Sequence, residues 1–197
     1  MIVLRQHLSM RQITHITAAL VLIATPVWAD ICPQAPDHSE NLAALITDIQ
    51  TAETEREARI VSNKMWSYWA DAPNEQAQAI LDRGMSKRAA WDLLGAREDF
   101  DALITYCPNY AEGYNQRAFV HFLNHNFQAA LVDLDQALAL SPDHVAALSG
   151  RALSLLGLSR IDEARETLQT ALELNPWLPE RGLLDAGGAL APKGKDI

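Results

Sequence analysis

The sequence predicts an all-α protein built as an array of stacked helical hairpins, and three observations support this fold class. Residues 145–178 align with residues 111–144 at a shift of 34 without a gap, and eight positions are identical. Prolines recur with nearly the same period, at Pro73, Pro108, Pro142 and Pro176. No stretch shows the sustained apolar–polar alternation that marks a β-strand. A fixed period of this length is typical of a helical repeat.

The shared columns predict two antiparallel helices in each unit. A small residue in the first helix precedes a second small residue by 12 positions, as in Ala118 and Ala130 or Ala152 and Ala164. Small residues at a crossing let two helix axes approach to the short end of the roughly 8–10 Å range. The proline ends the second helix because it lacks an N–H and disfavours helical geometry in its predecessor. The same columns continue backward into residues 77–110.

This pattern resembles the tetratricopeptide repeat (TPR) family. The matching residues are Tyr114, Ala118, Ala130, Leu134, Ala137 and Pro142 in one unit, and Leu148, Ala152, Ala164, Leu168, Ala171 and Pro176 in the next. The resemblance implies a right-handed TPR helical-hairpin solenoid. It implies repeats at 111–144 and 145–178, preceded by a degenerate repeat at 77–110. A solenoid of this kind favours binding over catalysis.

The two ends of the array fit the repeat less well. Residues 39–73 predict a divergent TPR-like helical hairpin, in which Val61 and Tyr68 replace the expected small residues. The alternative is a plain long helix or hairpin that caps the stack. Residues 179–188 predict a short C-terminal capping helix, because a solenoid's last hairpin needs a cover. Residues 189–197 predict a disordered tail.

The N-terminus predicts export. Residues 1–29 contain Arg5 and Arg11 but no acidic residue, and an apolar run follows. This order is the grammar of a secretory signal peptide, with predicted cleavage after Ala29. The mature protein would then be periplasmic or secreted and would begin with an N-terminal arm at 30–38. The alternative is an uncleaved inner-membrane anchor that carries a structural domain.

The charge balance disfavours some partners. The chain has 16 basic and 25 acidic residues, for a net charge of −9. Removal of 1–29 takes two basic residues and no acids, which leaves 14 − 25 = −11. An acidic surface is repelled by nucleic acid and by anionic lipid. We therefore expect a protein or peptide partner, no nucleic acid, and no stable membrane insertion after signal cleavage.

The two cysteines predict one disulfide. An even count in an oxidising compartment indicates pairing of Cys32 with Cys107. Cys107 precedes Pro108 at a helix end, and residues 32–39 could span up to about 25 Å when extended. The bond would close a loop of about 75 residues and contribute roughly 4–4.5 kcal/mol in the chain-entropy model. The alternative is two free thiols, or one thiol that serves a partner.

The resemblance places a binding groove on the first helices of successive units. The groove residues predicted in this way are Met85, Arg88, Asn115, Phe119, Phe122, Ser149, Leu153 and Leu156. Their apolar character suits an extended or helical peptide with apolar anchors, although each could instead be core. Some family members hold a chaperone's C-terminal carboxylate in a Lys/Asn/Arg clamp. That pattern is missing here, because Ser149 and Gly150 occupy the corresponding region after Asn115.

An aromatic cluster precedes the first clear unit. Trp66 and Trp69 are three residues apart and share a helix face, with Tyr68 beside them. Core packing is the default interpretation of such a pair. An interface patch is the alternative, because tryptophan and tyrosine dominate binding energies at protein interfaces.

No motif predicts an enzyme. The sequence contains no P-loop, GxGxxG, GxSxG or CxxC motif, and we expect no catalytic residues, cofactor or metal. His121 and His125 have the i, i+4 spacing of a metal-binding pair, but no third ligand follows at a recognised distance. Metal or small-ligand binding by this pair is the alternative function. Asp133 and Asp135 are expected to be solvated charges on a helix face.

Overall fold

The computed structural model describes residues 31–192, which form eight α-helices and one 3₁₀ helix. The helices are α1 (Ser39–Gln50), α2 (Glu55–Trp69), α3 (Glu75–Ala89), α4 (Leu93–Tyr106), α5 (Ala111–Leu123), α6 (Phe127–Leu140), α7 (Val145–Gly157), α8 (Ile161–Leu174) and the 3₁₀ helix Pro179–Leu184. The described residues contain no strand, and none of their helices is long and apolar enough to cross a membrane. The predicted signal peptide at 1–29 lies outside the described residues.

Helices α3 to α8 form three successive hairpins that stack side by side. Within each hairpin α3 packs on α4, α5 on α6 and α7 on α8, while α4–α5 and α6–α7 contacts join neighbouring hairpins. The predicted small residues Ala118 and Ala130 are both buried at a crossing. At the equivalent crossing of the α3–α4 hairpin, a Cβ added to Gly84 would lie 2.5 Å from the ring of Phe100, so the close approach of these two helices requires glycine. The all-α fold class predicted from the sequence is confirmed.

Short polar side chains begin several of these helices. The side chains of Asn74, Asp92 and Asn126 each accept a hydrogen bond from the backbone N–H three residues further on. Such caps satisfy N–H groups that the first turn leaves without an intrahelical acceptor. At α7 the cap is His144, whose Nδ1 accepts from Ala147 N–H at 3.3 Å. Side-chain caps therefore mark the starts of α3, α4, α6 and α7, whereas α5 begins after Tyr110 without one.

The turn inside each hairpin uses a left-handed residue. Trp91, His125 and Ser159 have φ values of 61°, 56° and 60° and occupy the same place in successive repeats. A left-handed conformation is uncommon outside glycine, because the Cβ crowds the following carbonyl oxygen. The same backbone solution therefore recurs in all three hairpins, although the three residue types share no obvious preference for it.

A repeating arginine column ties the helices together. Arg83 pairs with Asp99, and Arg117 pairs with Asp133, in each case on the second helix of the same hairpin. Arg117 also reaches back to Asp101 with an Nη1–Oδ1 distance of 2.7 Å. The expectation of solvated charges was wrong for Asp133, which is only 3% exposed. The burial follows from the arginine, since a buried carboxylate needs a charged partner.

The N-terminal hairpin, α1 with α2, does not extend this stack. Its helices lie within the range 39–73 predicted for a divergent repeat, but α2 and α3 do not pack along their length as α4 and α5 do. Instead Met65 packs in a cluster with Val145 at the start of α7, and α1 contacts α8. The Trp69 ring stacks on His144 with centroids 4.3 Å apart. The hairpin therefore folds back onto the repeat array.

The predicted disulfide is present in the structure. Cys32 bonds to Cys107, with Cα atoms 5.2 Å apart, and Cys107 is buried at the end of α4. Cys32 packs against the cluster that contains Phe100 and Tyr110. The bond therefore holds the N-terminal arm against the α3–α4 hairpin.

The C-terminal segment differs from the predicted disordered tail. Leu190 is fully buried in a cluster with Leu155 and Leu168, and Arg165 Nε donates to the Leu190 carbonyl at 2.9 Å. Leu190 and Ala191 are therefore held against α8, because the large apolar side chain of Leu190 packs on the end of the array. The remaining tail residues, 193–197, lie outside the described residues.

Candidate functional site

The predicted groove forms one side of a cavity of about 390 Å³. Six of the eight predicted groove residues line it: Arg88, Asn115, Phe119, Phe122, Ser149 and Leu153. They lie on α3, α5 and α7, the first helices of the three hairpins. The helix period explains the convergence, because residues three and four positions apart face one side of a helix.

Two predicted groove residues lie elsewhere. Met85 packs against the core cluster around Phe100, and Leu156 packs against the cluster around Leu168. Both are partly buried between neighbouring helices, which is the core alternative that the sequence left open. The position of a residue within the repeat could not distinguish a groove residue from a core residue, since both kinds occur on adjacent faces of the same helix.

The opposite side of the cavity comes from outside the repeats. Trp66 of α2 lines it, as do Leu178, Pro179 and Glu180 after α8. The α1–α2 hairpin and the C-terminal segment thus convert an open concave surface into a half-enclosed pocket. Trp66 therefore faces the cavity, whereas Trp69 packs against His144.

A buried polar network supports the floor of the cavity. Glu112 is 1% exposed and its Oε2 lies 2.9 Å from Nε2 of the fully buried His144. The side-chain amides of Asn115 and Gln116 both donate to the same carboxylate. Because a buried carboxylate needs several partners, these three contacts fix the side chains at their positions. The network thereby links α5 to the start of α7.

Arg88 is the basic residue of the cavity wall. Its guanidinium lies 4.5 Å from the centroid of the Phe119 ring, a cation–π distance. Burial lowers the pKa of Arg88, while the Glu112 charge acts in the opposite direction. No hydrogen-bond acceptor or carboxylate within the described part of the chain pairs with it, which makes it an available anion-binding group.

The two candidate metal ligands do not converge. His121 Nε2 lies 3.8 Å from Asp133 Oδ2, and burial lowers the pKa of this imidazole. His125 sits in the left-handed turn, with its ring edge-on to Phe127. Among residues 31–192, no group of three His, Cys, Asp or Glu side chains could hold a metal ion.

Several cavity residues were not predicted from the sequence. Gln116, Ser154 and Glu180 line the cavity but carry no motif. The one available signal was Ser154, a polar residue between Leu153 and Leu155, whereas Gln116 lies between Asn115 and Arg117 and has no such mark. Glu180 was placed in the capping segment, and its proximity to α3 and α5 depends on how the chain ends pack.

Comparison with known proteins agrees with this architecture. Residues 121–177 match the family model described as tetratricopeptide repeat. A TPR repeat-containing protein of Rhizobium etli is 26% identical over 122 residues, which cover 59% of this chain and 57% of that protein. Tetratricopeptide repeat protein 36 of Xenopus tropicalis is 35% identical over 116 residues, which cover 56% of each. The chain therefore spans little more than half the length of these two relatives.

Solved structures show the same fold. The first TPR domain of Spaghetti (RPAP3), bound to an HSP90 peptide, has a TM-score of 0.53 at 23% identity and covers 54% of this chain and 86% of that one. The TPR2B domain of yeast Sti1, in complex with an Hsp70 peptide, has a TM-score of 0.51 at 23% identity and covers 55% and 86%. The described residues therefore share the helical-hairpin fold of these TPR domains, and residues 121–177 match the tetratricopeptide repeat model.

Proposed function

We propose that this protein is an exported, periplasmic or secreted TPR scaffold or adaptor without enzymatic activity. It binds a peptide or helix of an envelope protein at the concave cavity. The observation that carries the proposal is the convergence of six predicted groove residues on one cavity between α3, α5 and α7. The mixture of apolar wall and few polar groups suits apolar anchors of a partner. The peptide complexes of the two structural neighbours support a peptide as the kind of partner.

The proposed location has two supports. Residues 1–29 have the composition of a signal peptide, and the Cys32–Cys107 disulfide suits an oxidising compartment. Expression of the full coding sequence in a Gram-negative host, followed by fractionation and intact-mass measurement, tests it. We expect a periplasmic protein that begins at Asp30. An uncleaved protein in the membrane fraction would instead favour the anchored alternative, and reduced cysteines would contradict export.

The binding surface is tested by affinity capture from envelope extract. The bait is the protein purified from the exporting host, compared with Phe119→Glu. Phe119 is 42% exposed on the cavity wall, so a carboxylate there disturbs binding with little effect on the core. The matched control is Val132→Glu on α6, which makes the same kind of change at a residue 63% exposed outside the cavity.

We expect one partner to be captured by the unmodified and Val132→Glu baits and lost with Phe119→Glu. Equal helicity and equal melting temperatures of the three baits establish that folding is unaffected. Capture that is identical with all three baits would contradict the concave cavity as the partner site. Phe122 is a poorer test position, because its ring contacts Phe127 at a centroid distance of 5.5 Å.

A further inference from the structure

Unpaired buried polar atoms concentrate in the concave cavity. Six such side-chain atoms occur in the described part of the chain, and four belong to residues that line this cavity. The four atoms are Arg88 Nε, Gln116 Oε1, Ser154 Oγ and Glu180 Oε2. A buried polar group without a partner costs about 1–3 kcal/mol, so four in one place call for a ligand that satisfies them.

Two of these atoms are held in position by the protein. Gln116 is 2% exposed, and its amide nitrogen donates to Glu112, which leaves Oε1 as an unused acceptor. Ser154 is fully buried on α7, and its hydroxyl has no hydrogen-bond partner among residues 31–192. A side chain whose orientation is fixed by neighbours is preorganised for a ligand and loses little entropy on binding.

The charged residues of the wall have opposite signs and do not pair with each other. Arg88 forms no ion pair within residues 31–192, whereas Arg83, Arg117 and Arg151 each contact an aspartate. Glu180, on the 3₁₀ helix, likewise has an unpaired buried oxygen. The cavity therefore offers one site for an anionic group and one for a cationic donor. Apolar surface from Phe119, Phe122 and Leu153 lines the space beside them.

We propose that the cavity binds a short apolar zwitterion, either a free apolar α-amino acid or a dipeptide of such residues. Its carboxylate contacts the Arg88 guanidinium, its ammonium group donates to Gln116 Oε1 and Glu180 Oε2, and its side chain packs on Phe119. A cavity of about 390 Å³ lies in the size range of small-molecule sites, roughly 300–1,000 Å³. This ligand is distinct from the protein partner proposed above, because its binding requires the cavity and no second protein.

Calorimetric titration of the purified protein tests the proposal with four probes. L-leucine and L-leucyl-L-leucine carry both charges, N-acetyl-L-leucine lacks the ammonium group, and L-leucinamide lacks the carboxylate. We expect saturable binding of at least one zwitterion, with both blocked forms at least tenfold weaker. Whichever of the two zwitterions binds more tightly identifies the source. Absence of saturable binding by both zwitterions, or equal binding of either blocked form, would overturn the proposal.

Two pairs of variants connect binding to the charged residues. Arg88→Met keeps an unbranched apolar stem and Glu180→Gln keeps the shape of the side chain, while both remove the charge. Arg56→Met and Glu166→Gln make the same changes at exposed positions on α2 and α8. We expect at least tenfold weaker binding with the cavity variants and unchanged binding with the controls. Unchanged affinity of Arg88→Met, at unaltered helicity, would exclude the proposed carboxylate contact.

These titrations contain no partner protein, so their outcome is independent of the capture experiment. Loss of partner capture with Phe119→Glu concerns the exposed wall of the cavity. Loss of zwitterion binding with Arg88→Met or Glu180→Gln concerns its charged groups.

Discussion

The repeat array α3–α8 and the N-terminal hairpin α1–α2 are both built from pairs of antiparallel helices, but different kinds of contact hold them in place. In the array, equivalent positions recur in successive hairpins and make equivalent contacts, such as the pairing of Arg83 and Arg117 with an aspartate on the following helix. In the hairpin no such column exists, and contacts with the start of α7 and with α8 replace it.

The difference shows how a solenoid is completed. Each hairpin of the array buries a face against the hairpins beside it, so the interfaces between neighbours contribute nearly additively to stability. The α1–α2 hairpin instead covers part of the concave side and depends on contacts distant in sequence, and the arm that precedes it is bonded to Cys107 through Cys32. The cavity exists because a module outside the periodic pattern folds across it.

The largest expected effect is removal of the disulfide. Cys32→Ala combined with Cys107→Ala frees a loop with a sequence separation of 75 residues. We expect a loss of about 4 kcal/mol in the free energy of unfolding, because the unfolded chain gains loop entropy. Urea denaturation followed by circular dichroism measures it, and reduction of the unmodified protein should reproduce the shift. Equal denaturation midpoints with and without the bond would contradict the stabilising role.

A matched pair of core truncations compares the two regions directly. Leu168→Ala in α8 and Met65→Ala in α2 each remove a side chain that is at most 1% exposed, and each should cost about 3 kcal/mol locally. We expect Leu168→Ala to lower protection throughout α5–α8 and Met65→Ala to increase exchange only in α1–α2. Native-state hydrogen exchange reports both. Loss of protection across α5–α8 with Met65→Ala would show that the hairpin and the array unfold as one unit.

A smaller effect separates two arginines of the same column. Arg117→Met leaves Asp133, a residue 3% exposed, without its main partner, and we expect a loss of about 2–3 kcal/mol. Arg151→Met should cost less than about 1 kcal/mol, because Arg151 contacts an exposed Asp135 and the Thr167 hydroxyl. Thermal denaturation of the two variants measures the difference. Equal losses would mean that burial of the carboxylate does not set the cost.

The smallest expected effect concerns the left-handed turns. Ser159 has a φ of 60°, and asparagine tolerates this conformation better than serine. We expect Ser159→Asn to gain about 0.5 kcal/mol in unfolding free energy, on the scale of other backbone-compatible substitutions. The control is Ser86→Asn inside α3, where no gain is expected. Destabilisation by Ser159→Asn would indicate that the serine side chain has another role in the turn.

The sequence predicted most of the array because its information is local and repeated. The small residues at equivalent repeat positions, such as Ala118 and Ala130, indicate helix crossings that recur at a fixed spacing. Sequence reasoning failed for Asp133, because a single aspartate on a polar helix face has no local mark of burial. Its contact with Arg117 of the preceding helix is visible only when the two helices are placed side by side.

The sequence by itself determined the helical period of α3–α8, the Cys32–Cys107 pairing and six residues of the cavity wall. Each of these follows from the periodicity of one chain segment or from the pairing of only two cysteines. The tertiary structure alone decided that α2 and Glu180 enclose the cavity, that Leu190 packs in the core and that Arg88 forms no ion pair among residues 31–192. These contacts join residues far apart in sequence, and they depend on the shape of the assembled array.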